Sequence, residues 1–240
     1  AVAFAAGLRG VRAVVVMPTT APDVKVEGAR RLGATVEFAG TTSNDRKARA
    51  EEIAAAEGLV MIPPFDHPDI IAGQGTVALE VYEDLPEVDV FFVPIGGGGQ
   101  ASGCGAALRA LRPGARIIGV EPRGAPTMRT ALDRGGPVTL DGFDTIADGL
   151  APVRAGDLTY AHARAFLDDV VLVDDPAIEG ATAHLLKRRK LVVEFSGAAT
   201  VAAVRAAGQD LAGKIVCAVI SGGNMDPSFL SRVVAADPAA

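Results

Sequence analysis

Two hydrophobic periods alternate along the chain. Residues 11–17 (VRAVVVM) are β-branched and apolar between Gly10 and Pro18, which predicts a buried strand. Residues 20–33 predict a helix, with Pro22 in its first turn and Gly33 at its end. A short strand at 35–39 and a charged helix at 43–57, closed by Gly58, come next. The apolar run LVMI at 59–62 predicts another strand, stopped by Pro63 and Pro64. The same alternation then predicts helix 70–84, strand 88–93, helix 101–111 and strand 115–120. Beyond a glycine-rich stretch come helix 157–167, strand 170–173, helices 176–190 and 196–208, and strand 214–220. Helices alternating with short apolar strands imply an α/β protein whose parallel sheets are covered on both faces.

One seam interrupts the pattern. Pro63, Pro64 and Pro68 fall within six residues, and prolines this dense neither continue a strand nor sit inside a helix. A smaller α/β unit is therefore expected over 1–66 and a larger one over 67–240. Composition adds exclusions. With 49% apolar and 22% charged residues the chain is not of the disordered class. No apolar run approaches the ~20 residues of a membrane helix, so no membrane partner is expected. A net charge of −6 gives no basic face for a nucleic acid. Cys104 and Cys217 lie far apart without metal spacing, which points to a reducing, cytoplasmic setting.

The strongest chemical feature is FFVPIGGGGQASG, residues 91–103. A buried strand runs into Gly96, Gly97, Gly98 and Gly99, and a helix starts just beyond Gln100. Glycines let backbone N–H groups turn toward a ligand, and a helix N-terminus adds partial positive charge; together they make an anion site, most naturally for phosphate. The loop is neither a Walker A sequence nor a clean dinucleotide fingerprint. The plain alternative is a tight turn, for which four consecutive glycines cost much chain entropy. A second strand ends in ISGGN, so two glycine loops could meet at the carboxyl ends of neighbouring strands, with Ser221 offering a neutral hydroxyl. Glu121 and Glu194 also close strand-like segments, though either could simply favour a helix N-terminus. His67, His162 and His184 are scattered and suggest no metal cluster, and the cations of 187–190 suit a helix C-terminus.

Eight segments in order resemble the serine/threonine dehydratase and serine racemase family: TAPDVKVEGARRLGA, PPFDHPDIIAGQGTVALE, VPIGGGGQASG, IIGVEP, TIADGLA, LTYAHARAFLDDVVLV, KLVVEFSGAA and ISGGN. The resemblance spans essentially the whole chain. It implies two parallel-sheet α/β/α domains of the fold type II pyridoxal 5'-phosphate enzymes, the tryptophan synthase β-like fold. Gly96, Gly97, Gly98, Gly99 and Gln100 match the family's phosphate loop, with Gln100 in place of the usual Leu or Met. Ser221 matches the residue facing the pyridine nitrogen, and Gly149 and Glu194 match positions lining the cofactor pocket. The racemase-like members hold a divalent metal, and the matching positions are Glu121, Ala125 and Thr127. Thr127 stands where the family has a carboxylate, which disfavours a tight site for a hard cation.

The family's imine-forming lysine and its Ser-Gly-Asn-His loop have no counterpart here; both are expected upstream of Ala1. None of Lys25, Lys47, Lys187, Lys190 or Lys214 is placed to replace that lysine. The chain also opens AVAFAAGLRG, without Met and as if within a helix, so a fragment of a longer enzyme is expected. A truncated relative that binds without catalysing is the alternative. Only sixteen residues follow Asn224, so no long regulatory appendage is expected. By resemblance the intact protein is a homodimeric ammonia-lyase acting on L-threonine or L-serine, with a serine racemase-like activity as the nearest alternative. From another class, a non-catalytic phosphate-binding protein would take the ligand without an imine. A divalent or monovalent cation is a further possible requirement.

Overall fold

The computed structural model describes residues 1–236. The chain divides into two compact units, Ala1–Pro63 and a second from Pro64 onward.

In the first unit α1 (Val2–Arg9) leads to β1 (Val14–Met17), α2 (Asp23–Arg31), β2 (Thr35–Phe38) and α3 (Ser43–Glu57). The strands pair in parallel from Val14↔Thr35 to Met17↔Phe38. Their core is made of small residues, Ala3, Ala6, Ala13, Ala29 and Ala34, with Val15, Met17 and Val36 against them. Thr42 and Asp45 form a reciprocal capping box at the start of α3, and Gly58 ends it in the left-handed region. The strand expected at 59–62 is absent: the segment is irregular, and Val60 is 84% exposed. An apolar run becomes a strand only by pairing, and none of the described strands pairs with this one.

The second unit holds α4 (Pro68–Asp84), β3 (Val90–Pro94), α5 (Gly99–Leu111), β4 (Arg116–Pro122), α6 (Thr127–Arg134), α7 (Asp157–Phe166), β5 (Asp169–Val173), α8 (Asp175–His184), α9 (Phe195–Ala207), β6 (Val216–Ala218) and α10 (Leu230–Ala235). Its sheet has the order β5-β4-β3-β6, and every pairing is parallel. Because side chains alternate along a strand, β3 feeds two cores. Phe91 and Val93 pack with Leu108, Met128 and Ala163 of α5, α6 and α7, while Val90 and Phe92 pack with Ile178, Ala199 and Val233 of α8, α9 and α10. This is a three-layer α/β/α arrangement around a fully buried central strand.

Phe65 and Asp66, placed with the first unit by the sequence pattern, lie in the second, where Asp66 accepts hydrogen bonds from α7. α4 begins two residues before the expected start because His67 caps it and Pro68 occupies its first turn. The long helix expected at 176–190 is α8 followed by a π-helical turn, Leu185–Arg189, which ends at Lys190 with φ 61°. The strand expected at 214–220 is ordered as β only over Val216–Ala218, where β3 offers partners. α6 and α10 were not legible in the pattern. Both are short, and α6 is held largely by a distant carboxylate, Glu121.

Candidate anion and cofactor site

A parallel sheet directs all its strand ends one way, so the loops after β3 and β6, neighbours in the sheet, leave from the same edge. Residues 96–98 turn out of β3, and α5 starts at Gly99. Gly98 is the N-cap residue at φ 95°, a conformation that a β-carbon disfavours. No side chain caps α5, so the first-turn N–H groups of Gly99, Gln100 and Ala101 are left for another acceptor; Ser102 N–H already reaches Gly98 O at 2.8 Å. Gly98 and Gly99 are buried, and Gly96, Gly97 and Gln100 are half-buried. The loop is packed from behind: any β-carbon at Gly97 would enter the Phe65 ring, and one at Gly98 would lie 2.8 Å from Thr159 Cβ.

Of the other residues singled out by resemblance, Gly149 touches this loop, and Glu194 touches both Gly149 and the loop that carries Ser221. A β-carbon on Gly96 would stand 3.0 Å from Gly149 O, so these two backbones are in contact. Gly149 N–H donates to Ser196 Oγ at 2.8 Å, and Ser196 is buried in the first turn of α9. Asp175 holds the approach to Gly149, accepting Thr145 Oγ1 at 2.6 Å and Ile146 N–H at 3.0 Å. Glu194 is the N-cap residue of α9, and its N–H donates to Gly222 O at 3.1 Å. A β-carbon at Gly222 would run into the Glu194 carboxylate, so this contact pins the loop that carries Ser221. Ser221 itself is exposed. The pattern of residues missed Phe65, Asp66, Thr159, Ser196 and Asp175. The available signals were local: Asp66 in PFDHP and Thr159 in the first turn of a helix.

Glu121, Ala125 and Thr127 lie together between β4 and α6. Glu121 is fully buried, and its two oxygens accept Met128 N–H at 2.6 Å and Arg129 N–H at 2.8 Å. Burial pushes its carboxyl up to about 7, against the pull of those two N–H groups. Ala125 O accepts Thr127 N–H at 2.9 Å, and Thr127 Oγ1 donates to Pro152 O at 2.7 Å. One carboxylate already capping a helix, one engaged carbonyl and a donating hydroxyl do not fit a divalent cation. Among the described residues no cluster of three His, Cys, Asp or Glu side chains forms elsewhere.

The glycine loop does fit the phosphate of a cofactor. Its donors are backbone N–H groups at a helix N-terminus, with no carboxylate among them. The second unit's lysines stand apart from it. Lys187 Nζ and Lys190 Nζ donate to Ala236 O and Lys187 O, at 2.7 and 2.8 Å, and Lys214 precedes β6 at the opposite end of the strand. No helix among the described residues is long and apolar enough to cross a membrane.

Comparison with known proteins shows the family and the fold. Residues 1–222 match the family of pyridoxal-phosphate dependent enzymes. Over 233 residues the chain is 41% identical to the L-threonine ammonia-lyase of Thermotoga maritima, covering 97% of this chain and 58% of that protein. It is therefore little more than half as long as that relative. The structure of maize serine racemase superposes with a TM-score of 0.88 at 37% identity, covering 96% of this chain and 71% of that one. The processed form of threonine deaminase isoform 2 from Solanum lycopersicum gives 0.89 at 36% identity, covering 97% and 68%.

Proposed function

This chain belongs to the pyridoxal-phosphate dependent enzyme family, and from that premise we propose that it supplies the cofactor-holding part of an ammonia-lyase. Its substrate would be a small hydroxy amino acid, L-threonine or L-serine, converted to a 2-oxo acid by elimination of water and then hydrolytic release of ammonia, so that ammonia alone is lost overall. The observation that carries the reading is the uncapped glycine loop after β3 beside the Ser221 loop after β6. Support for the substrate class comes from relatives named L-threonine ammonia-lyase at about 40% identity.

Pyridoxal phosphate, when bound, supplies an electron sink that acidifies the Cα–H of an amino acid. The chain's own residues bind and orient. The N–H groups of the loop and of the first turn of α5 would hold the phosphate, and the helix dipole adds partial positive charge there. Ser221 would offer the ring nitrogen a neutral hydroxyl, which would not keep that nitrogen protonated as a carboxylate would; the milder sink would suit β-elimination. Gly149 and Glu194 would line the same pocket.

We also propose a homodimer in a reducing cytoplasm; Cys104 and Cys217 are both free. The test of activity uses the whole protein with pyridoxal phosphate and L-threonine or L-serine. The expected result is a 2-oxo acid and ammonia in equal amounts. D-Serine from L-serine without ammonia would overturn the lyase in favour of the racemase, a reading the maize structure favours. Cofactor binding with neither product would leave a non-catalytic binder. Light scattering tests the dimer.

A further inference from the structure

The glycine loop is held from behind by a clamp that the cofactor reading leaves unassigned. Thr159, the third residue of α7, is fully buried. Its hydroxyl donates to Gly97 O at 2.7 Å and lies 3.3 Å from Gly156 O in its own turn. In a planar trans peptide the carbonyl and the following N–H point in opposite directions. Drawing Gly97 O toward α7 therefore turns the Gly98 N–H toward the other side of the loop. Gly98 is also the residue whose φ of 95° sets the entry into α5.

Thr159 is in turn fixed by Asp66. The Asp66 carboxylate accepts the N–H groups of Leu158 and Thr159 on Oδ1, each at 3.0 Å, and that of Asp157 on Oδ2 at 3.1 Å. A carboxylate at a helix N-terminus is favoured by the dipole as well as by these bonds. Phe65, one residue earlier, lays its ring against Gly97, and its backbone and Cβ against Gly99. One short segment thus supports the loop twice, directly through Phe65 and indirectly through Asp66, α7 and Thr159. Packing alone would need no hydroxyl at residue 159.

We propose that Thr159 is the positioning residue of the anion loop: by holding Gly97 O it presents the Gly98 N–H to the cofactor phosphate, with Asp66 setting α7 for that task. This rests on the reading of the loop as the phosphate site. The hydroxyl touches the loop backbone and acts on the phosphate only through Gly98.

The experiment compares Thr159→Val, Thr159→Ser and Gly97→Asp in the whole protein. Each is titrated with pyridoxal phosphate and with pyridoxal, which has the ring and aldehyde but no phosphate. Thr159→Val should bind pyridoxal phosphate about tenfold more weakly, the effect of one neutral hydrogen bond. It should bind pyridoxal within about twofold of the parent, and Thr159→Ser should recover most of the loss. Unchanged phosphate-ligand affinity in Thr159→Val, or an equal loss for both ligands, overturns the proposal. Gly97→Asp separates the two failures. If it binds pyridoxal phosphate normally, the phosphate reading itself falls; if it loses pyridoxal phosphate but keeps pyridoxal while Thr159→Val is unchanged, that reading stands and Thr159 is only packing. Should Thr159→Val not fold, the unsubstituted protein is titrated with inorganic phosphate, and the amide resonance of Gly98 is followed. Movement of that resonance supports the assignment. A Gly98 amide that stays still while those of Gly99 and Gln100 move refutes it.

Discussion

Gly103 and Cys104 sit side by side in the buried face of α5. A β-carbon at Gly103 would collide with Ile71 O and Gly75 N, so the backbones of α4 and α5 touch there. Gly103→Ala must push two helices apart and should cost about 1–3 kcal/mol, the range for overpacking a tight contact. Urea unfolding of the variant beside the parent measures it, and an unchanged midpoint would show that the helices part freely. Cys104 is fully buried, with Sγ 3.5 Å from Gln74 O, and burial pushes its thiol up to about 12. Since only the thiolate reacts, Cys104 should resist a thiol reagent at about pH 8 in the folded protein and label at the rate of unfolding. Labelling at the rate of a free thiol would contradict its enclosure. The glycine run at 96–99 was legible as chemistry because its reason is local: four residues without side chains before a helix. The reason for Gly103 is not local, since it lies in the backbone of another helix.

At the level of elements the same division holds. α3 was predicted with its observed bounds from its charged pattern and the stop at Gly58; the structure adds a start signal that is also within reach in sequence, the capping box of Thr42 and Asp45. α6 has no such start signal; its first-turn N–H groups are met by Glu121, seven and eight residues upstream on a strand. LVMI failed as a strand because apolarity is necessary for a buried strand and pairing decides it. The capping box also gives α3 a pH dependence. Asp45 accepts the N–H groups of Thr41 and Thr42 and the Thr42 hydroxyl, and the Thr42 N–H bond comes first among the causes that hold its carboxyl below 3.8. A lowered carboxyl stabilises the fold above its unfolded value and loses that contribution as pH falls through the lower folded value. As pH falls below the ordinary carboxylate value of about 3.9 the first turn of α3 should therefore fray progressively, seen as a loss of amide protection at Asp45 relative to the intrinsic exchange rate. Asp45→Asn should show that loss of protection already at neutral pH. Equal exchange in parent and variant at neutral pH would remove the carboxylate from the cap.

At the scale of the second unit, what could be read from sequence was the framework and what could not was its bracing. Parallel strands and a glycine loop suffice to place an anion site at a carboxyl edge, and β3 beside β6 puts both expected loops there. The bonds that hold the site join residues far apart: Asp66 to Thr159 across 93 positions, Gly149 to Ser196 across 47, Thr145 to Asp175 across 30. No periodicity carries such pairs. These bonds tie the loop to both helical layers, so a ligand held by the loop should stabilise the unit as a whole. Binding to the native state alone adds RT ln(1 + [L]/Kd), about 2.7 kcal/mol at a hundredfold excess over Kd. Pyridoxal phosphate at that excess should slow amide exchange of Phe92 in β3 and Ile118 in β4 by about a hundredfold where exchange needs global opening. Gly97→Asp should abolish the slowing. Protection confined to the loop, with β3 and β4 unchanged, would mean that the loop opens independently of the sheet, and the bracing by Asp66, Asp175 and Ser196 would then have no energetic reach into the core.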